Sequence, residues 1–117
     1  IVKKDGLKRT DYFITCEASG TLLSDFVCDS KSAKLIAPEI QTLFTAMQQA
    51  RMTHGDCKAT NFFVTQDHKI EIIDLDSMCF HQSDKSFQKA FKKDLKRFHK
   101  NWQGEVGEVF QQVLGKI

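Results

Sequence analysis

Five large apolar side chains, Phe87, Phe91, Leu95, Phe98 and Trp102, step along the chain by four, four, three and four residues. At 3.6 residues per turn those positions gather on one side of an α-helix, whereas in a strand they would scatter over both faces. The spacing predicts a helix over 86–102 with one buried stripe, and such a helix needs a core to lie against. Ile40, Leu43, Phe44, Met47 and Ala50 form a second stripe and predict a helix over 38–52. Pro38 suits the first turn of that helix, where its missing N–H is no loss. Shorter elements fill the rest. Leu22, Leu23, Phe26 and Val27 have the spacing of a short helical face over 21–27, Ser30 and Ser32 mark a break, and a last short helix is expected over 106–114. Phe62-Phe63-Val64-Thr65 and Lys69-Ile70-Glu71-Ile72-Ile73 read as two strands joined around Gln66-Asp67-His68. Asp5-Gly6, ahead of Tyr12-Phe13-Ile14-Thr15-Cys16, reads as the turn of an earlier hairpin. The class expected is α+β, mainly helical with two small antiparallel hairpins, in a single domain over 1–117.

Composition narrows the functional classes. A 117-residue chain that is 41% hydrophobic, with ten Phe, can fill one core, but it is too short for two domains. No apolar run approaches the roughly 18 residues of a membrane span, and no basic-then-apolar leader opens the chain. Cys16, Cys28, Cys57 and Cys79 form no CxxC pair, and His54, His68, His81 and His99 show no HExxH spacing, so neither a zinc site nor a disulfide framework is supported. Isolated thiols fit a reducing, cytoplasmic location. Residues 85–100 hold seven Lys or Arg against one Asp. That face reads first as a solvated face over a core stripe, with attraction to an anionic glycolipid or to the cytoplasmic surface of an inner membrane as the functional alternative. With a net charge of only +2 and no recognised binding motif, nucleic acid is not an expected partner.

The chemistry concentrates in the polar segment 53–61, read as a loop, and in the hairpin that follows it. In His54-Gly55-Asp56-Cys57-Lys58-Ala59-Thr60-Asn61, Asp56 precedes Asn61 by five residues, the spacing of the catalytic loop of protein kinases, and Asp74 ends the next hairpin. Phosphoryl transfer needs a carboxylate to orient a hydroxyl and take its proton, oxygen ligands to hold Mg2+ on nucleotide phosphates, and a cation against the developing negative charge. Asp56 fits the first role, Asn61 with Asp74 the second, and Lys58 the third. His54 reads as a packed structural residue and Cys57 as a loop filler with no partner base.

The segments HGDCKATN (54–61) and IIDLDSM (72–78) resemble the catalytic and metal-binding segments of the kinase-like superfamily, and specifically of the bacterial lipopolysaccharide core kinases that phosphorylate Kdo or heptose. KDLKRF (93–98) is similar to that family's next helix, YFITCEA (12–18) to the strand entering the hinge between the two kinase lobes, and TLLSDFV (21–27) to the short helix after it. The resemblance implies a protein-kinase-like fold in which 1–19 are the last hairpin of the small lobe and the hinge, and 20–117 are the large lobe. It also implies a Mg2+-dependent, ATP-using transferase acting on a sugar hydroxyl of the lipopolysaccharide core. Glu17 and Ala18 would meet adenine, Lys58, Asn61 and Asp74 the nucleotide phosphates, and Asn61 and Asp74 the metal.

Some residues depart from the pattern. Gly55 stands where regulated protein kinases carry an Arg that pairs with a phosphorylated activation loop, and no APE follows Asp74, which favours a small-molecule acceptor. Asp76 replaces the Gly of DFG, so it is open whether Asp76 touches metal or caps a turn. No Gly-rich loop and no VAIK-like Lys precede residue 12, so the phosphate roof is missing. The 117-residue chain taken alone is therefore expected to fold but to transfer phosphate poorly. Two other readings stand beside this one: another small-molecule or atypical protein kinase of the superfamily, and a non-catalytic kinase-like interaction module.

Overall fold

A computed structural model describes residues 20–115. The hairpin expected within 1–19 and the hinge residues Glu17 and Ala18 lie outside the described residues. In chain order the elements are β1 (Gly20–Leu22), α1 (Leu23–Phe26), α2 (Ser30–Ala50), β2 (Met52–Thr53), a 3₁₀ turn (Ala59–Asn61), β3 (Phe62–Thr65), β4 (Ile70–Ile72), β5 (Cys79–Phe80), α3 (Asp84–His99) and α4 (Gly104–Leu114). The described residues are thus α+β, with long helices and two small antiparallel sheets.

Helix α2 begins eight positions before Pro38, not at it. Asp29 accepts the N–H of Ser32 at 2.8 Å, and the Ser32 hydroxyl accepts the N–H of Asp29 at 3.2 Å. This reciprocal capping box satisfies two N–H groups that a helix start would otherwise leave unpaired. The Ser32 backbone N–H foremost, and the Ser32 hydroxyl donating to the same carboxylate oxygen at 3.0 Å, hold the Asp29 carboxyl below the ordinary carboxylate range. Ser32 therefore anchors the helix where a break was expected. Pro38 sits inside α2 on its exposed side, four residues after the exposed Lys34, whose carbonyl loses the N–H a proline cannot supply. The helix stops at Arg51, which adopts a left-handed conformation with φ 53°.

The hairpin read from the sequence is β3–β4, paired Phe62↔Ile72, Phe63↔Glu71 and Val64↔Ile70. It forms only part of its sheet. β1 adds along β3 in the order β1-β3-β4, so 20–22 is strand and the helical face expected over 21–27 shrinks to α1. A second pair, β2 with β5, joins Met52↔Phe80 and Thr53↔Cys79 across the loop segment, so Thr53 belongs to a strand.

Helix α3 is capped by the Ser83 hydroxyl, which accepts the Ser86 N–H at 3.1 Å, and it ends before Trp102. Its buried face is Phe87, Phe91, Asp94 and Phe98, with Leu95 only partly covered. Phe98 is the hub of the core. Its ring lies 5.4 Å from Phe44 of α2, 5.5 Å from Phe62 of β3, 5.3 Å from Phe110 of α4 and 5.7 Å from Trp102, all at steep angles. Edge-to-face pairs of this kind contribute about 0.5–1.5 kcal/mol each beyond their burial.

At the end of α3, His99 Nδ1 is buried without a hydrogen-bond partner, and burial lowers the proton affinity of the ring. The folded ring titrates below the ordinary value of 6.5, so the unfolded chain takes up this proton first as pH falls. The stability this group contributes is present above that ordinary value and is lost as pH drops through the folded value. Denaturant titrations from neutral to mildly acidic pH should show the parent chain losing stability faster than His99→Gln. Parallel curves for the two proteins would contradict this.

Candidate active site

The segment 54–61 is held by hydrogen bonds at nearly every residue. His54 N–H and Gly55 N–H donate to the two oxygens of Asp94, at 2.7 and 3.0 Å. Asp94 is 3% exposed, and burial, its largest influence, pushes its carboxyl above the ordinary range while the two N–H bonds pull it back. His54 is buried as well. Its Nδ1 accepts the Asp56 N–H at 3.2 Å and its Nε2–H donates to the Ile73 carbonyl at 2.9 Å, a pattern that fits the neutral Nε2–H tautomer. His54 therefore braces the loop from within, as the structural reading expected. Further along, Asn101 donates to the Cys57 carbonyl at 3.0 Å, and Arg97 donates to Asn101 Oδ1 at 2.9 Å. One helix and the residues just after it thus hold the loop at positions 54, 55 and 57.

Asn61 closes the loop. Its Nδ2 donates to the Asp56 carbonyl at 2.8 Å and its N–H donates to the Lys58 carbonyl at 2.9 Å, which leaves Oδ1 for a partner outside this network. The Asn61 carbonyl accepts the Ile73 N–H at 2.9 Å. Ile73 is therefore tied to the loop through both of its backbone groups, to Asn61 on one side and His54 on the other. Asp74 follows directly, exposed and with φ 59°, a left-handed conformation that a non-glycine residue rarely takes outside turns and functional sites. Lys58 Nζ lies 3.6 Å from Asp56 Oδ2, and both side chains are half exposed, so water screens the pair and leaves either group available to a ligand.

Asp56, Lys58 and Asn61 thus belong to one bonded loop, and Asp74 follows the Ile73 that is tied to it, while Glu17 and Ala18 lie outside the described residues. An amide oxygen and a carboxylate are hard oxygen donors that suit Mg2+ when phosphates and water complete its shell. Among the described residues no three His, Cys, Asp or Glu side chains come together as a metal site of their own. Cys57 is fully buried, and burial, with Asp94 and Asp56 nearby, pushes its thiol strongly up, which keeps it protonated and inert.

Two supporting residues were not singled out from the sequence, Asp94 and Asn101. Asp94 did leave a signal. It is the one acid within the basic run 85–100, and it sits three residues after Phe91 and four before Phe98, in phase with the buried stripe. Asn101 left none. Phe63 was likewise missed as anything beyond a strand residue. Its row, Leu22↔Phe63↔Glu71, lies on the sheet face opposite the buried Phe62, Val64, Ile70 and Ile72, and all three residues are only partly covered.

Gly55 has φ 93°, and a Cβ there would stand 2.7 Å from Ser77 Cβ and 3.0 Å from the Ser77 carbonyl. The Arg that protein kinases carry at this point cannot be accommodated without moving the segment after Asp74. Gly55→Arg should lower unfolding stability by more than the roughly 1–2 kcal/mol of a left-handed backbone alone, because the clash adds to it. Chemical denaturation measures this, and a loss under 1 kcal/mol would show that the loop relaxes around the side chain.

A family model described as the Lipopolysaccharide kinase (Kdo/WaaP) family matches residues 4–113. The comparison with curated proteins finds no match.

Proposed function

The chain belongs to the lipopolysaccharide kinase (Kdo/WaaP) family, and from that membership we propose that it forms the large lobe of a kinase-like enzyme that transfers the γ-phosphate of ATP to a sugar hydroxyl, Kdo or heptose, of the lipopolysaccharide core. The observation that carries this reading is the double tie of Ile73 to Asn61 and His54, which seats Asp74 beside the loop bearing Asp56.

In this reading the Asp56 carboxylate orients the acceptor hydroxyl and takes its proton as the oxygen bonds to the γ-phosphorus and the bond to the β-phosphate oxygen breaks. The backbone N–H and carbonyl of Asp56 are occupied by His54 and Asn61, so its side chain can be aimed without the loop moving. Lys58, beside it, offsets negative charge on the transferring group. Asn61 Oδ1 and the Asp74 carboxylate would hold Mg2+, whose role when bound is to neutralise the phosphate oxygens. The partly covered row of Leu22 and Phe63 offers an apolar floor for the adenine ring.

The test is transfer of labelled phosphate from ATP, with and without Mg2+, by the full-length protein to a panel of Kdo- and heptose-bearing acceptors, with peptide and unrelated alcohol acceptors alongside. Labelling confined to one sugar class supports the proposal. Labelling of peptides alone, or of nothing, rejects it.

A further inference from the structure

Helix α3 and its C-cap carry lysines at 85, 89, 92, 93, 96 and 100, and all six are exposed. At about 100° per residue they fall within an arc of about 100° that faces away from the buried side of the helix. Along the axis they cover roughly 22 Å. The one acid between Lys85 and Lys100 is Asp94, and it is turned inward to hold the His54 and Gly55 N–H groups. Among the described residues the ion pairs join Arg51 to Asp84, Lys58 to Asp56 and Lys69 to Glu39, and none uses a stripe lysine. A chain of net charge +2 thus gathers six like charges in one strip with no carboxylate among them. Solvated faces ordinarily mix signs, because a single-sign face repels itself. The counter-charge this stripe lacks has to come from outside the helix.

The direction of the stripe says which kind of partner fits. Asp94 holds the loop 54–61 from the core side of α3, so the lysines point away from that loop and are not placed to grip a reacting sugar. A straight, narrow, exposed row of flexible cations matches an extended anionic plane better than a pocket-sized ligand. We propose that the outer face of α3 docks this protein on an anionic bilayer surface through phospholipid headgroups. This proposal rests on the charge and exposure of the face and not on the proposed function. The test reads binding instead of phosphate transfer, so the two can fail separately.

The experiment is co-sedimentation of the 117-residue chain with vesicles of phosphatidylcholine alone or of phosphatidylcholine mixed with phosphatidylglycerol. Binding is expected only to the mixed vesicles, and it should weaken as salt shortens the screening length. Each stripe lysine should contribute roughly fivefold, so Lys89→Glu, Lys92→Glu and Lys96→Glu together should weaken binding by at least about a hundredfold. Replacing the same three by Arg should preserve it. The matched charge change off the stripe, Lys31→Glu, Lys34→Glu and Lys69→Glu, should have a far smaller effect. Single Lys→Gln changes, each read against the parent chain with circular dichroism to confirm folding, keep the test informative if the triple variant misfolds. Failure of the parent chain to bind mixed vesicles, equal binding to neutral ones, or equal loss from the off-stripe variant would overturn the proposal.

Discussion

Asp56→Asn is expected, under the proposed function, to lower phosphate-transfer turnover by about 10²–10⁴-fold, the range a positioned general base contributes, with nucleotide affinity nearly unchanged. The reason is in the wiring of the loop. The bonds that shape residue 56 run through its backbone, from its N–H to His54 Nδ1 and from its carbonyl to Asn61 Nδ2, and neither involves the carboxylate. An isosteric amide keeps both and removes only the proton acceptor and its screened contact with Lys58. Asp74→Ala should behave differently, weakening Mg-nucleotide binding itself, because under the proposed function it removes a metal ligand and not a base. Steady-state kinetics with the true acceptor, paired with calorimetry of Mg-ATP binding, separates the two patterns. Near-normal turnover in Asp56→Asn would remove Asp56 from the role of base.

Asp94→Ala should cost the fold several hydrogen-bond equivalents of stability. It leaves the buried His54 N–H without an acceptor, at about 1–3 kcal/mol, and removes the bond of the more exposed Gly55 N–H, at about 0.5–1.5 kcal/mol, so a total loss of roughly 1.5–4.5 kcal/mol is expected. Asp94→Asn can accept from only one of the two donors and turns an NH₂ toward the other, so it should recover little. The carboxyl also leaves a pH signature. Burial raises its proton affinity in the fold above the ordinary value of 3.8, so the folded chain holds the proton more tightly than the unfolded one. Its contribution is therefore fully present below 3.8 and is lost as pH rises through the folded value, and Asp94→Asn should lack that slope. Urea melts across this window, parent against Asn variant, measure both effects. An Asp94→Ala protein as stable as the parent would mean that the loop finds other acceptors for its N–H groups.

What could be read from the chain without coordinates was whatever repeats over short distances. The stripe through Phe87, Phe91 and Phe98 announced α3, because burial of one helical face imposes its own period. The Phe62–Ile73 alternation announced β3 and β4. The spacing of Asp56, Asn61 and Asp74 was legible for a similar reason: a loop and a tight hairpin are local objects whose residue counts carry their geometry. Other features depended on partners far along the chain. β1 and β5 are three and two residues long, too short to show a period, and each exists only by pairing with a strand more than twenty residues away. The start of α2 was misplaced because Pro38 is the louder signal, whereas the Asp29–Ser32 capping box is what anchors the first turn. Asp94 looked like one acid on a basic surface helix until the fold brought the His54 and Gly55 N–H groups, forty residues earlier, against its carboxylate. Local periodicity records which faces are buried, but a buried polar group is explained only by the donors and acceptors that the tertiary structure carries to it.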